Sequence, residues 1–294
     1  ARGGAAFPSF TVLYARRPIR GERTMARRML VAGGALATLR SAAGVVLKVR
    51  DEDPCACRNW MDTYATTGVK CGMTNEYYFA TRQHALPEYS LGDFNGLKDE
   101  FCLRFFEAIN DDYCINVNMG VDRGQWCFVD AACPSLAGGD KVNGQVSWKM
   151  CSPEKDRMLR QYDPPALAKL ATEQHLELGL MNKMSYPLSG YKWKYVSGFW
   201  GATLDELTSV QDVLPGATVD QVKDFLRPRW GKRDRDIDDE MKKDLLSIFN
   251  SGVPTTFDTA KDNHPPHVIV HGKTVYVVIP NYKPSLLCVF GCQH

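Results

Sequence analysis

Ten cysteines are the residues whose type and spacing point most directly to chemistry, and that chemistry is disulfide formation. Eight of the ten lie between Cys55 and Cys151 and two lie near the C-terminus, so both groups are even, as closed pairs require. Even numbers at irregular spacings are typical of a disulfide framework in an oxidising compartment. The sequence therefore predicts that every cysteine is disulfide-bonded: Cys55, Cys57, Cys71, Cys102, Cys114, Cys127, Cys133, Cys151, Cys288 and Cys292.

The pairing of these cysteines stays open, because eight cysteines can be joined in roughly a hundred ways. One residue separates Cys55 from Cys57, so each is expected to bond a different, distant partner. Cys288 is expected either to bond Cys292 or to tether the C-terminal tail to the cysteine-rich region.

Zinc binding is the competing use of the same thiols. Structural zinc sites favour closely spaced cysteine pairs, usually with two to four intervening residues. The short spacings between Cys55 and Cys151 are C-x-C and C-x5-C, and the one histidine in this span is His84. The sequence also lacks the C-x-x-C motif of thiol redox enzymes. Disulfides are therefore favoured over zinc and over thiol catalysis.

A histidine-rich stretch near the C-terminus is the other candidate metal site. On an extended strand His267 and His271 share a face but lie about 13 Å apart, too far to bind one ion together. The sequence contains no phosphate-binding loop, nucleophile elbow, zinc-protease motif or dinucleotide-binding motif. The histidines of this stretch are His264, His267 and His271, with His294 at the C-terminus. We predict that they form no metal site, and we predict no catalytic residues.

The elements that hold the cysteines are short, so the sequence predicts an α+β fold: a disulfide-rich module, then a helical segment, then a C-terminal β-hairpin. Trp60 and Tyr64, four residues apart, predict a short helix. Residues 96–109 predict a second helix whose apolar side chains belong to the core. Residues 125–129 and 145–149 predict two short strands.

Helices and a hairpin are predicted beyond the cysteine-rich span. Residues 166–184 predict one long helix that contains His175. Thr218 and Gln221 predict a capping box at the start of another helix, and an acidic run from Asp236 predicts the N-terminus of a third. Residues 267–279 predict a hairpin with a glycine at its turn.

An aromatic-rich stretch, residues 186–200, has two interpretations. Interleaved with Lys192 and Lys194, it has the composition of a stacking platform for nucleic-acid bases. The net charge of the chain is only +2, which favours instead a buried packing surface or a contact for a partner or pigment. We predict no nucleic-acid partner.

Composition divides the chain into a basic N-terminal arm (1–50), a cysteine-rich module (51–160) and an α+β C-terminal region (161–294). In the arm, a twin arginine precedes an apolar run, residues 29–49, as in twin-arginine export signals. If retained, a run of about 20 residues is long enough to cross a bilayer, although Arg40 would make it a poor isolated span. An anchor, a docking arm and a soluble helix are the alternatives.

The cysteine-rich span begins C-A-C-R-N-W, continues through V-K-C-G and Q-W-C-F-V, and ends V-S-W-K-M-C. This pattern resembles a cysteine-rich module of dinoflagellate plastid and secretory proteins. With the thylakoid-like arm, the resemblance implies an accessory or linker subunit of photosystem I with its peridinin–chlorophyll antenna. The implied partners are photosystem core and antenna proteins, and the implied location is membrane-associated, on the lumenal side of the plastid thylakoid.

Two functions are therefore expected. The first is a non-catalytic linker that binds neighbouring subunits through the N-terminal arm and aromatic surfaces. Chlorophyll or carotenoid at such an interface is the only cofactor chemistry considered, with backbone carbonyls, water, His84 or His175 as ligands. The alternative is a soluble lumenal or secreted disulfide-rich enzyme or ligand-binding protein, whose site would lie between the cysteine-rich module and the C-terminal half.

Overall fold

The structure is a computed structural model that describes residues 53–76, 98–121, 124–231, 237–259, 266–279 and 285–292. The N-terminal arm with its apolar run 29–49, and also His84, His264 and His294, lie outside the described residues. Within them, none of the helices combines the length and the apolar character that crossing a membrane requires.

The predicted α+β class is confirmed, because helices accompany two antiparallel sheets. The described α-helices are α1 (Trp60–Thr66), α2 (Pro164–Glu173), α3 (Leu178–Lys183), α4 (Trp193–Val196), α5 (Val219–Leu226) and α6 (Asp239–Asn250). The strands are β1 (Ile115–Asn116), β2 (Gln125–Asp130), β3 (Asp140–Lys141), β4 (Val146–Met150), β5 (Thr255–Asp258), β6 (His267–His271), β7 (Thr274–Ile279) and β8 (Ser285–Phe290).

The first sheet has the order β1-β2-β4-β3 and confirms the two strands predicted around the tryptophans. Successive side chains of β2 point to opposite faces. Trp126 and Phe128 point to the face covered by Trp60 of α1, and the Trp60 and Trp126 rings meet edge to face with centroids 4.8 Å apart. The predicted short helix thus forms one wall of an aromatic core.

Five disulfide bonds confirm the predicted disulfide-rich character of the chain. Cys55 and Cys57 bond different strand-associated partners, as their spacing requires, and Cys288 bonds Cys292 rather than the module. The pairs are Cys55–Cys133, Cys57–Cys127, Cys71–Cys102, Cys114–Cys151 and Cys288–Cys292.

The predicted helix over residues 96–109 is replaced, in its described part, by a π-helical turn at Asp99–Leu103 and a 3-10 turn at Phe106–Ala108. The adjacent residues Phe105 and Phe106 are both buried, and Phe105 has non-helical backbone angles. A regular helix buries one stripe rather than two consecutive aromatic rings. The prediction of helix was therefore wrong here, while the predicted burial of Phe101, Phe105 and Ile109 is confirmed.

The single helix predicted over residues 166–184 is two helices, α2 and α3. His175 adopts a left-handed conformation with φ of 57°, which ends α2. Glu177 then caps α3, since its carboxylate accepts hydrogen bonds from the backbone N–H groups of Gly179 and Leu180. The apolar periodicity continues across the break, so it did not reveal the change in direction.

Two further helix predictions are confirmed. Thr218 and Gln221 form the capping box of α5, with the Gln221 side chain accepting from the Thr218 backbone N–H. Asp238 caps α6 by accepting from the backbone N–H of Met241. Gly252, at φ of 67°, supplies the left-handed residue just after α6.

The second sheet has the order β5-β6-β7-β8, and both of its faces are buried. The predicted hairpin is its β6–β7 pair, with Gly272 at the turn. One face, which includes Ile269 and Val278, packs into the core that contains the cysteine-rich module and α2–α3. The opposite face, which includes Phe257 and Val277, packs into a second core with α4, α5 and α6.

Candidate functional site

A buried polar cluster lies where the second sheet meets α3. Asp258 and His267 are directly opposite each other in the β5–β6 register. Because side chains alternate along a strand, they point away from Phe257 and Val268, which belong to the second core. Both residues therefore face the side of the sheet on which Ile269 joins the first core.

Asp258 is the centre of this cluster. Its Oδ1 atom lies 3.3 Å from Nδ1 of His267, and its Oδ2 atom lies 3.2 Å from Nζ of Lys192. The Asp258–His267 geometry falls short of a regular hydrogen bond, so we treat it as an electrostatic contact. The Asp258 and His267 side chains are 4% and 1% exposed, whereas Lys192 is 34% exposed and connects the cluster to the surface.

Helix α3 supplies the opposite wall. All of its residues are buried, including the polar Asn182 and Lys183. Asn182 accepts a hydrogen bond of 2.8 Å from the Thr256 hydroxyl of β5. The carbonyl of Lys183 accepts a hydrogen bond from the Asn116 side chain of the first sheet, so the end of α3 is fixed from both sides.

Asp258 and His267 both have a pKa below the ordinary value, although burial by itself acts on the two groups in opposite directions. Burial alone would raise the pKa of Asp258, but the contact with His267 and the positive charges of Lys183 and Lys192 together bring it below its ordinary value. Burial is also the largest effect on His267, where it lowers the pKa, and the charge of Lys183 adds to the lowering against the opposing effect of Asp258. At neutral pH the cluster therefore holds a carboxylate beside a neutral imidazole.

This arrangement has the elements of an acid–base dyad, in which a carboxylate orients an imidazole. Nε2 of His267 and Nδ2 of Asn182 have no hydrogen-bond partner among the described residues. The imidazole is nevertheless closed to solvent, so a substrate could reach it only if α3 or the sheet moved. In the observed arrangement the carboxylate and the imidazole are both enclosed in the core.

The cysteine-rich module brings together residues that the sequence spaces widely. The sulfur atoms of two disulfides, Cys57–Cys127 and Cys114–Cys151, all lie within 4.8 Å of one another. A buried ion pair lies beside them, with 2.7 Å between Lys149 Nζ and Asp156 Oδ1. The structure therefore groups four of the ten predicted site residues in one place and distributes the other six among three separate bridges.

The histidines considered from the sequence do not form one site in the described part of the chain. His267 and His271 lie at opposite ends of β6, and His267 contacts Asp258 instead. His175 is exposed at the α2–α3 break.

The aromatic-rich stretch is largely a packing surface. Trp193 and Trp200 are buried against Phe257 of β5, with ring centroids 5.7 and 5.4 Å away. Trp230 also packs on Trp193. The buried-packing interpretation is confirmed for these rings, although Tyr195 is 38% exposed.

Two large apolar side chains are exposed next to one disulfide. Met73 follows Cys71 by two residues, Leu103 follows Cys102 by one, and these two cysteines are bonded to each other. Met73 is 56% exposed and Leu103 is 59% exposed, the two highest values among the large apolar side chains that the structure describes. The Cys71–Cys102 bond thus holds two segments together that both present apolar side chains to solvent.

Comparisons with protein family models, curated proteins and solved structures give no match for this chain.

Sequence reasoning missed the Asp258 cluster, because neither Asp258 nor Lys183 belongs to a recognisable motif. A signal was present in β5, whose sequence T-T-F-D continues a buried strand into a carboxylate. Asn182 and Lys183 likewise follow an apolar run with no break in burial. Polar residues at positions where the pattern requires burial are the feature that could have identified this site.

Proposed function

We propose that this protein is a disulfide-stabilised, non-catalytic subunit that holds neighbouring proteins together in an oxidising compartment. The observation that carries the proposal is the pair of exposed apolar side chains, Met73 and Leu103, beside the Cys71–Cys102 bond. Exposed apolar groups on a rigid support are typical of protein–protein contacts, because their burial is favourable and little conformational entropy is lost.

The disulfide framework supports the compartment part of the proposal. Bonds between all ten cysteines are compatible with an oxidising compartment such as a secretory or plastid lumen. Four of the bonds close loops of 31 to 78 residues within the cysteine-rich module. Such bonds restrict the unfolded chain, so the module keeps a fixed surface even though its helices and strands are short.

The cysteine pattern resembles that of dinoflagellate plastid proteins. We therefore propose, more specifically, that the protein is a linker on the lumenal side of the thylakoid, between photosystem I and its antenna. The partners would be core and antenna proteins, with chlorophyll or carotenoid at the contact. Since the aromatic-rich stretch is largely buried, Met73 and Leu103 are better candidates for the contact than Trp193 or Trp200.

Native purification from gently solubilised membranes tests this function. The expected result is co-migration with photosystem and antenna polypeptides, identified by mass spectrometry, together with a pigment absorption spectrum. A chain that runs alone and colourless from both membrane and soluble fractions would reject the linker function.

A surface variant localises the contact. Met73→Glu combined with Leu103→Glu should reduce recovery of the partners by about tenfold or more, because charge replaces the apolar contact. Leu246→Glu on α6 is the matched control, since Leu246 is 43% exposed and distant in sequence from the module. Equal loss in both variants would place the contact elsewhere.

The Asp258 cluster favours a ligand-binding protein as the second candidate function. Unpaired buried polar atoms on His267 and Asn182 are the specific observation, because such atoms usually acquire partners. A small polar ligand that binds there should raise the Tm of the parent protein and not that of Asn182→Leu. A ligand screen that shifts both proteins equally, or neither, would leave the cluster with a structural role.

A further inference from the structure

The two neighbouring disulfides of the cysteine-rich module form a compact four-sulfur cluster. The bonds are Cys57–Cys127 and Cys114–Cys151, and the Sγ atoms of Cys57 and Cys114 lie only 3.5 Å apart although they belong to different bonds. All four sulfur atoms lie within 4.8 Å of one another. Once both bonds are reduced, the module would therefore offer four thiolates in a volume that one metal ion could occupy.

The register of the first sheet explains why these cysteines meet. Ile115 is paired with Trp126, and so the residue before it, Cys114, comes opposite Cys127. Cys151 directly follows β4, and its backbone N–H donates to the carbonyl of Gln125, two residues before Cys127. Three cysteines thus lie on one face of three adjacent strands, and the segment of Cys57 runs alongside β2, where the Arg58 backbone N–H donates to the carbonyl of Phe128. Because they come from four separate segments, no local spacing motif reveals them.

The cluster also has the burial that a metal site requires. Cys114 and Cys127 are completely buried, and Cys57 and Cys151 are half-buried. The charge environment is mixed, since Lys149 is paired with Cys127 in the sheet and its ammonium contacts Asp156. Asp156 in turn lies 3.7 Å from the sulfur of Cys57. A nearby ammonium favours thiolate over thiol, so Lys149 can offset part of the negative charge of reduced, metal-bound sulfur.

We propose that this cluster is a redox-gated site for a soft, tetrahedral divalent cation of the zinc class. Zinc–sulfur bonds of about 2.3 Å place tetrahedral ligands about 3.8 Å apart, within the spread of the four sulfur atoms. Each bonded sulfur would move by about 1 Å once its disulfide is opened. A second group among the described residues, Cys71, Cys102 and Glu107, offers only three ligands.

The chemistry balances with an external dithiol as the reductant. Two dithiol molecules supply four electrons and four protons, become two disulfides, and leave four cysteine thiols in the cluster. The metal ion then displaces the four thiol protons and binds four thiolates. The two disulfides formed from the dithiol can reverse the process: they accept four electrons and four protons, return to two dithiol molecules, and leave two protein disulfides and the released ion. Metal binding at this site does not depend on whether the module docks a partner.

The test uses the full chain, reduced with a phosphine under anaerobic conditions and titrated with Co²⁺. We expect one ion per chain, with the visible bands and the sulfur-to-metal charge-transfer absorption of tetrahedral thiolate cobalt, and displacement of the cobalt by Zn²⁺. The oxidised chain should show none of these bands. A reduced chain that binds no cobalt, or binds it with fewer than four sulfur ligands, would overturn the proposal.

Variants assign the signal to the cluster. Replacing the other six cysteines by serine should retain it, whereas Cys57→Ser with Cys127→Ser should remove the four-thiolate spectrum. Loss of the spectrum in Cys71→Ser with Cys102→Ser, and its retention in the Cys57 and Cys127 variant, would overturn the proposal. Because unfolded cysteines also bind metal, the reduced chain in urea is compared, and it should bind at least about tenfold more weakly if the fold arranges the ligands. Equal affinity in urea would contradict the proposal.

Discussion

Asp258 and His267 face each other across β5 and β6, with 3.3 Å between Oδ1 and Nδ1 and almost no exposure of either side chain. The carboxylate sits between this imidazole and the ammonium of Lys192, 3.2 Å away. The pair therefore links the protonation state of the core to the stability of the second sheet.

The first prediction concerns the pH dependence of stability. An unfolded histidine takes up a proton below about pH 6.5, whereas the lowered pKa of His267 keeps its folded imidazole neutral. The unfolded state then binds more protons, so the free energy of unfolding should decrease as the pH falls below about 6.5, by up to about 1.4 kcal/mol per pH unit. Urea unfolding at a series of pH values measures this slope, which His267→Gln should reduce.

Asp258 affects the free energy of unfolding in a lower pH range than His267 does. Its pKa is lowered in the folded state, so its stabilisation is present above about pH 3.9 and is lost only as the pH falls through the folded value. A His267→Gln protein that keeps the full slope between about pH 6.5 and 5.5 would show that another group takes up the proton.

The second prediction tests the Lys192–Asp258 ion pair. Lys192→Met removes the charge that contacts a buried carboxylate, so the free energy of unfolding should fall by about 1–3 kcal/mol. Lys194→Met is the matched control, because Lys194 is exposed and stacks on the Tyr195 ring, and it should change stability by less than about 0.5 kcal/mol. In the double variant Lys192→Met with Asp258→Asn, the loss should be smaller than the sum of the single losses. Additive losses would mean that the two side chains do not interact.

The third prediction compares two disulfides by the loops that they close. Cys71 and Cys102 are 31 residues apart, whereas Cys288 and Cys292 are 4 apart. The loop-entropy relation gives roughly 3.5 kcal/mol for the longer loop and about 2 kcal/mol for the shorter one. Replacing each pair by serine and measuring urea unfolding should therefore give the larger loss for Cys71 and Cys102. The opposite order would mean that the tail bond stabilises β8 by folded-state contacts.

The fourth prediction uses two glycines. A Cβ atom at Gly139 would overlap the carbonyl oxygen of Trp148, whereas a Cβ at Gly144 would meet no atom within 4 Å. Gly139→Ala must push β3 away from β4 and should lower the free energy of unfolding by about 1–3 kcal/mol. Gly144→Ala should change it by less than about 0.5 kcal/mol. Thermal unfolding of both variants checks the difference, and similar Tm values would contradict the close approach.

The sequence predicted correctly those helices and strands that are determined by interactions between residues close together in the chain. The spacing of Trp60 and Tyr64 predicted α1, the Thr218–Gln221 capping box predicted α5, and the alternating run around Gly272 predicted the hairpin. In each case the deciding interaction joins residues within a few positions of one another. The cysteine content likewise predicted a disulfide framework.

Features that depend on distant residues were beyond the sequence. The break at His175 follows from the packing of α3 against both sheets, and the apolar pattern runs through it unchanged. The partners of Cys57 and Cys114 depend on strand register. The Asp258 cluster could be predicted only with the knowledge that the second sheet is covered on both faces. Without that knowledge, the face that carries Asp258 and His267 could equally be exposed to solvent.

The double coverage of the second sheet has a consequence for the order of events during synthesis. Both hydrophobic cores use strands between Thr255 and Phe290, so the ribosome has made most of the chain before either core can close. The cysteines of the module emerge earlier and can meet oxidants while α2 and α3 still lack their sheet. A growing chain therefore has covalent cross-links available to it before it has an interior, and its apolar helices must be shielded until the last strands arrive.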